Sequence, residues 1–410
     1  MKALFIYLFG FSIPFYTFGI HLIDSIWISF PLLAFYIFTI FFILSGHFSQ
    51  RILFFILLLN LYIFLTTFVR VPLLEFIFAF VAFFISTLSL SVNFERNPVF
   101  YSNFIKGFIG AAWVTIVLIL LSFISLFVLN ESQMYLLEPL GYKSNYGMGF
   151  FGLTRPTIFF LEPAHLGMYL VCVFVVTSFS VSNVYDNTIL NKLSFLAIII
   201  TGSLAGIIIL SVFILIRKNL IQNSRIILLA IIAVTLFYIF AQDSEIYQRL
   251  YRAFTTFTTH DYGGSEGQRI GSMRIPYDMI KDGNIIVTLF GSGFSDYSRY
   301  LQYLYADSII GSAFRSGNVA NSIVIYFVSV GMLGFLFTLY VFSLIFRANH
   351  MPKSYVLTII LIMFSYGTFI NYLLWVLILI LMKINIQSVS KYIDPSCNPH
   401  IFKSRIKLSK

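Results

Sequence analysis

The stretch from Ile189 to Ile216, "ILNKLSFLAIIITGSLAGIIILSVFILI", decides how often the chain crosses a membrane. It holds two apolar runs, 189–201 and 203–216, on either side of the break "TGSLAG". Each run is too short to cross a full bilayer at about 1.5 Å per residue. Non-helical backbone at membrane depth is tolerated only against protein or a watery cavity. We therefore predict two short spans and a cavity on the outer side facing the break, with a single long kinked helix as the alternative.

The composition around this stretch is that of a membrane protein. Of 410 residues, 59% are hydrophobic, and the mean hydropathy is +0.91, which excludes an ordinary soluble domain. The apolar runs do not alternate as barrel strands do, so we predict an all-α polytopic membrane protein. Besides the two short spans, we predict spans at about 3–23, 27–45, 52–69, 73–92, 104–129, 163–183, 226–241, 319–346, 355–368 and 370–386.

The basic residues of the short loops set the orientation. They all fall on one side only if the stretch 189–216 crosses twice, which gives about twelve transmembrane helices with both termini cytoplasmic. The chain is then one membrane domain, 1–386, followed by a basic cytoplasmic tail, 387–410. The net charge of +10 is explained by this topology and does not indicate nucleic acid as a partner. The basic residues concerned are Arg51, Arg96, Lys106, Arg217, Lys218, Arg225, Arg347 and Lys353.

Two loops, 130–162 and 242–318, then lie outside the membrane. The second is long, amphipathic and not low in complexity, so we expect it to fold. Within it we predict a helix from about Gly267 to Ile280 that ends near Gly283 and is kinked at Pro276. Arg269 and Arg274 would lie roughly 140° apart on that helix and flank a ligand.

Arginine in such a loop is suited to phosphate, because guanidinium stays charged and binds in a bidentate manner. Acidic residues nearly balance the basic ones there, so a solvated network of salt bridges is the alternative for these arginines. No Asp-x-Asp or His-rich metal signature stands near either loop. The Tyr-rich stretch 296–308, "DYSRYLQYLYADS", is compatible with stacking on sugar rings or with ordinary packing of an amphipathic helix.

The stretch "RPTIFFLEPAHLG", 155–167, gathers three polar residues at the start of a span. Arg155 is a candidate for binding a diphosphate. Glu162 or His165 is a candidate for orienting or deprotonating an attacking hydroxyl. Glu162 precedes Pro163, where a carboxylate also favours a helix start, and His165 is equally suited to the wall of a cavity. The residues leave the choice between the two open.

Three stretches resemble the bacterial O-antigen polymerase family, within the superfamily that includes O-antigen ligases. They are "RPTIFFLEPAHLG", the break "IIITGSLAGIIIL", and "RIGSMRIPYDMIKDGNIIVTLFGSGF" followed by "NVANSIVIYFVSVGMLGF". The resemblance covers roughly residues 100–346. Leu204 stands where the family often has arginine, and Ile158 where it has glycine. Ala320 stands where ligases tend to carry histidine, which favours a polymerase.

The resemblance implies a C-type membrane glycosyltransferase fold in the bacterial inner membrane, with its active site on the periplasmic side. The enzyme would be metal-independent and without a cofactor. Donor and acceptor would be glycans on undecaprenyl diphosphate, and a chain-length regulator protein is a further expected partner. Diphosphate would be bound by Arg155, Arg269 and Arg274, and catalysis would use Arg269 with Glu162 or His165. Further candidates are Asn318, Asn321 and Arg315. The alternatives are an O-antigen ligase, which transfers glycan to lipid A core, and a lipid-linked glycan flippase.

Overall fold

A computed structural model gives the architecture of most of the chain. It describes residues 2–15, 19–23, 26–67, 73–94, 98–129, 158, 160, 163–179, 188–217, 251, 269, 271–293, 297–306, 321–349, 351–365 and 372–383. The predicted span 226–241, the tail, and nearly all of the loop 130–162 lie outside the described residues.

The described chain is predominantly helical. Its first half comprises α1 (Lys2–Ser12), β1 (Gly19–Ile23), β2 (Ile26–Ser29), α2 (Phe30–Leu44), α3 (Gln50–Thr67), α4 (Leu73–Leu88), α5 (Pro98–Leu129), α6 (Pro163–Phe179), α7 (Thr188–Ile200) and α8 (Leu204–Arg217). Its second half comprises a 3-10 turn (Ser272–Arg274), α9 (Ile275–Asp282), α10 (Ile285–Phe290), α11 (Tyr297–Leu304), α12 (Ser322–Ala348), α13 (Lys353–Ser365) and α14 (Tyr372–Lys383).

Two of the described helices are long and apolar enough to cross a membrane. They are the segments Val99–Ile124 of α5 and Ser322–Ala348, which is α12. The other apolar helices that the structure describes are shorter, from 10 to 17 residues. The fold is thus compatible with a helical membrane protein, and the predicted number of about twelve spans stays a prediction.

The predicted first span, 3–23, is wrong in its second half. Helix α1 ends at Ser12, and the segment after it forms an antiparallel hairpin in which Gly19 pairs with Ser29 and Ile20 with Ile28. Two local features explain the difference. Pro14 disfavours continuation of the helix, and β-branched and aromatic residues favour strands in the segment that follows.

The division of 189–216 into two short helices is confirmed. Helix α7 ends at Ile200 and α8 begins at Leu204, with Gly202 at a positive φ of 58° in the turn. The turn is buried, and its polar groups are satisfied locally. Thr201 Oγ1 donates to the Ile198 carbonyl over 2.7 Å, and Ser203 Oγ accepts from the Gly206 amide over 3.2 Å. The described residues enclose the break in protein, and a cavity facing it stays a prediction.

The interior is built around α14. Every residue from Leu373 to Met382 is buried, as expected for a helix that is apolar on all sides. Helix α14 contacts α2, α4 and α6. At the edge of the same core, α1 packs on α5 so closely that a Cβ on Gly10 would lie 2.2 Å from the Phe104 carbonyl oxygen. Small residues permit this approach of two helix backbones.

The turn after α2 and the turn after α4 contact each other. The Ser49 amide donates to the Ser91 carbonyl, and the Asn93 amide donates to the His47 carbonyl, both over 2.9 Å. The sequence predicts both turns on one side of a membrane, and their pairing is compatible with that prediction. Because Pro98 fits the first position of a helix, α5 begins at residue 98 rather than at the predicted residue 104.

Candidate functional site

The described part of the loop 242–318 is folded, as predicted. Helices α9 and α11 bury apolar side chains against the first turns of α12, in a cluster separate from the main core. The members of this cluster are Ile275, Met279, Tyr300, Leu301, Tyr305, Val324, Ile325 and Val328. The loop is therefore held on the start of α12 by its own apolar contacts.

The tyrosines of α11 mostly serve this packing. Tyr300 and Tyr305 are buried, while Tyr303 is 74% exposed. Burial raises the pKa of the Tyr300 phenol above its usual value, and the nearby Tyr303 adds to the shift. Packing of an amphipathic helix therefore accounts for Tyr300 and Tyr305. Among the described tyrosines of this stretch, Tyr303 is the one exposed enough to stack on a sugar ring.

Arg269 lies where the loop 242–318 meets the start of α12 and the end of α13. Its side chain is only 8% exposed, and its Nε donates to the Ser365 carbonyl at the end of α13 over 3.1 Å. A cation is favoured at the C-terminus of a helix, where carbonyl groups lack partners within the helix. The carbonyl of Arg269 accepts from Ser272 Oγ over 2.8 Å and from Asn321 Nδ2 over 3.2 Å. Arg269 thereby fixes the loop to both α12 and α13.

Asn321 is the N-cap of α12 and is fully buried. Its Oδ1 accepts from the amides of Ile323 and Val324 over 3.1 and 3.3 Å, while its Nδ2 donates to Arg269. The asparagine side chain carries both a hydrogen-bond donor and an acceptor, and Asn321 uses both at the same time. The structure thus brings together two residues of the predicted site, Arg269 and Asn321.

Arg274 faces a different partner. Its Nε donates to both carboxylate oxygens of Asp278 over 3.2 and 3.1 Å, and this is the one ion pair between described residues. Tyr305 donates its hydroxyl to the same carboxylate over 2.8 Å. Asp278 is buried and Arg274 is about one-third exposed. The hydrogen bond from Tyr305 therefore joins α9 to the end of α11. The Nε of Arg274 is engaged by the Asp278 carboxylate.

The predicted helix around these arginines is divided. A 3-10 turn, Ser272–Arg274, precedes α9, which begins at Ile275 and ends with Gly283 as its C-cap. The predicted end near Gly283 is confirmed. The predicted kink at Pro276 is wrong, because Pro276 stands in the first turn of α9, where a missing amide hydrogen costs no hydrogen bond within the helix.

The Gly-Ser-Gly turn after α10 docks into a break in α12. Gly331 has φ 71° and ψ 180°, which interrupts the helix. The preceding carbonyls of Val328 and Ser329 accept from the amides of Ser292 and Gly293, each over 2.9 Å. Two glycine motifs that are forty residues apart in the sequence thus form one contact.

No side chain fits within this contact. A Cβ on Gly291 would lie 2.1 Å from the Ser329 oxygen, and a Cβ on Gly331 would lie 2.3 Å from the Gly291 nitrogen. Both glycines have positive φ and an extended ψ, a region that is essentially restricted to glycine. The docking fixes the distance between the loop and the break in α12.

His165 lies in the first turn of α6, half-buried, with its Nδ1 atom buried. Two residues further on, Gly167 contacts the break between α7 and α8, where a Cβ on Gly167 would lie 2.6 Å from Ser203 Oγ. The structure therefore places His165 near the break between α7 and α8. Four other predicted site residues, Arg155, Glu162, Arg315 and Asn318, lie outside the described residues.

The structure adds three groups that the sequence analysis did not identify: Asp278, Tyr305 and the Ser365 carbonyl. Asp278 follows Arg274 by four positions, a spacing that places two side chains together on a helix and that would have identified it. The contacts of Tyr305 and Ser365 join distant parts of the chain and leave no such signal. Among the described residues, no group of three or more His, Cys, Asp or Glu side chains is placed to hold a metal ion.

Comparison with known proteins adds no family assignment. No protein-family model matches the chain, and no curated protein matches it.

Proposed function

We propose that this chain is a membrane glycosyltransferase that polymerises oligosaccharide repeat units carried on undecaprenyl diphosphate, as in the synthesis of O-antigen. It would cross the inner membrane about twelve times. The growing glycan would be the donor and a single repeat unit the acceptor, and the acceptor hydroxyl would attack the anomeric carbon of the donor. Lipid diphosphate would leave from that carbon, and the hydroxyl proton would pass to Glu162 or His165.

The observation that supports this proposal best is the junction of Arg269 and Asn321. A guanidinium that is buried beside a helix end and held by a carbonyl is preorganised, so it would neutralise the charge that develops on a leaving diphosphate without moving. The contact between the Gly-Ser-Gly turn and Gly331 supports it further, since it unites two of the motifs that resemble the O-antigen polymerase family.

Arg274 contributes less than Arg269 to diphosphate binding in this proposal. Its Nε is engaged by Asp278, so a diphosphate would have to be bound by the other nitrogens of the guanidinium or compete with the carboxylate. We therefore assign the larger part of diphosphate binding to Arg269 and Arg155, and we expect Arg274 mainly to hold α9 in place.

The proposal is tested by complementing a deletion strain and separating its surface polysaccharide on a gel. We expect Arg269→Ala and Arg155→Ala to yield only single-repeat glycolipid, at an expression level equal to that of the unaltered protein. Arg299→Ala removes the same side chain from an exposed position in the same loop, and we expect it to keep the full ladder. A normal ladder in both Arg269→Ala and Arg155→Ala would refute the site.

The deletion strain itself distinguishes the alternatives. Loss of a polymerase leaves core capped by one repeat unit, whereas loss of a ligase or a flippase leaves uncapped core. An assay of the purified protein with lipid-linked repeat units and lipid A core distinguishes a ligase from a flippase, because a ligase transfers glycan to the core and a flippase forms no glycosidic bond.

A further inference from the structure

A cavity lies at the opposite end of α12 from the candidate site. It has a volume of about 310 Å³ and lies between the start of α3 and the end of α12. Its lining includes the two arginines Arg51 and Arg347 and the apolar side chains of Ile52, Phe55, Leu344 and Ile345. The volume is at the lower end of the range for small-molecule sites. It is sufficient for a polar headgroup and the adjoining part of an acyl chain.

The charge of this cavity is positive. Among the described residues, the one ion pair is that of Arg274 with Asp278, so no described carboxylate is paired with Arg51 or Arg347. Arg51 stands in the first turn of α3, where the helix dipole also favours an anion. Two guanidinium groups bordering one cavity form a site suited to phosphate, which each can bind in a bidentate manner.

Capping of α12 does not account for Arg347. The Ile345 carbonyl, in the last turn of that helix, already accepts from the amide and from Nδ2 of Asn349, over 3.0 and 2.7 Å. The Phe346 carbonyl accepts from the Met351 amide over 3.1 Å. The Ile345 and Phe346 carbonyls are therefore satisfied without the guanidinium of Arg347.

The wall beneath the arginines is apolar and continues onto an exposed apolar surface. The rings of Phe55 and Tyr340 meet edge to face with centroids 6.0 Å apart. Next to them, Phe54 is 58% exposed and Leu336 is 51% exposed. A ligand that fits both features carries a phosphate at one end and an apolar chain at the other.

We propose that this cavity binds the phosphate headgroup of an anionic phospholipid of the cytoplasmic leaflet, with an acyl chain along Phe55 and Leu344. Basic pockets between membrane helices on this side bind such headgroups in general. The inference rests on the membrane placement given under the proposed function and does not depend on polymerisation. A free phosphate ion shares the headgroup chemistry but would make no use of the apolar wall.

Lipid binding to the purified full-length chain tests the proposal. The protein in mild detergent is titrated with dioleoyl-phosphatidylglycerol, and bound lipid is counted by native mass spectrometry. We expect one lipid to bind tightly, and the double variant Arg51→Gln/Arg347→Gln to bind it at least about tenfold more weakly. Arg347→Lys keeps the charge but loses the planar fork, so an intermediate affinity is expected.

A matched control removes two positive charges elsewhere on the same predicted face. In Lys106→Gln/Lys353→Gln, the two exposed lysines are not among the residues that line the cavity, and we expect phosphatidylglycerol to bind as in the unaltered protein. Equal loss in both double variants would overturn the proposal in favour of general attraction to positive charge. Displacement of the lipid by excess sodium phosphate, or equal binding of dioleoyl-phosphatidylcholine, would also overturn it.

The polysaccharide ladder is read separately in the same variants. A normal ladder with weakened lipid binding in Arg51→Gln/Arg347→Gln supports the cavity as a lipid site distinct from the candidate active site. If the unaltered protein binds the lipid but a deletion strain still makes polymer, the proposed function fails and this inference stands.

Discussion

Substitution of Gly291 by alanine should release the loop from α12. Gly291 has φ 82° and ψ 170°, and a Cβ there would lie 2.1 Å from the Ser329 oxygen and 2.4 Å from its carbonyl carbon. Ordinary contact begins near 3.4 Å, so the two backbones would have to separate by roughly 1.3 Å. The obstacle is backbone on both sides, so no side-chain rotation relieves the clash.

The free-energy cost has two parts. An alanine in this φ/ψ region costs about 1–3 kcal/mol of backbone strain. Separation also breaks the two hydrogen bonds from Ser292 and Gly293 to Val328 and Ser329, at about 0.5–1.5 kcal/mol each. Together these give about 2–6 kcal/mol for the docked state, enough to open the contact in a large fraction of molecules.

Gly46→Ala is the matched control. Gly46 also has a positive φ, 73°, but nothing lies within 4 Å of the position of its Cβ. This variant therefore carries backbone strain without a clash, at about 1–2 kcal/mol. The difference between the two variants isolates the close approach of the loop to α12.

Thiol labelling measures the opening of the contact. Ser292 is 4% exposed, so Ser292→Cys, in a background with Cys172 and Cys397 changed to Ser, should react slowly with a maleimide. We expect Gly291→Ala to raise the labelling rate at least about tenfold and Gly46→Ala to leave it unchanged. If both variants label at the rate of the parent protein, the close approach of Gly291 to Ser329 is refuted.

Three further predictions concern neighbouring contacts. Asn321→Ala should lower the stability of the purified protein by about 2–3 kcal/mol, since it removes the α12 cap and the bond to Arg269, whereas Asn321→Asp keeps the cap and should cost less. A chemical denaturation series compares them, and equal losses would contradict the assignment of two roles to Asn321. Arg274→Gln should destabilise more than Asp278→Asn, because it leaves the buried Asp278 carboxylate without its cation, whereas Asp278→Asn leaves a partly exposed guanidinium; the reverse order in thermal unfolding would contradict this. Gly167→Ala should destabilise the protein because its Cβ would lie 2.6 Å from Ser203 Oγ, and unchanged unfolding would exclude that approach.

Glycine, serine and the lengths of the apolar runs predicted several helix ends correctly. The break between α7 and α8 follows from the short runs and the Gly and Ser residues between them. The end of α9 at Gly283 follows from the preference for glycine after a helix. The end of α1 at Ser12 was missed because hydropathy does not distinguish a long apolar helix from a shorter helix followed by an apolar hairpin.

The contacts of the candidate site were predictable only in part. The sequence singled out Arg269, Asn321 and the two glycine motifs, but not that they meet, because such contacts depend on how distant segments pack. The pairing of Asp278 with Arg274 was accessible from the four-residue spacing, whereas the bond from Tyr305 depends on the position of α11 against α9.

Arg269 and Arg274 have different surroundings in the structure. We therefore expect different roles for two residues that the sequence analysis treated alike. Arg274 is partly exposed and faces a carboxylate, so a dianionic ligand must overcome that ion pair before it gains a partner. Arg269 is buried, and its Nε donates to the Ser365 carbonyl, a neutral partner that holds the side chain in place. A phosphate that approaches both would therefore be attracted more strongly by Arg269. We expect Asp278→Asn to make Arg274 more available and to tighten the binding of undecaprenyl diphosphate, measured by titration of the purified protein. Weaker binding in Asp278→Asn with unchanged folding would show instead that the ion pair positions Arg274 for the ligand.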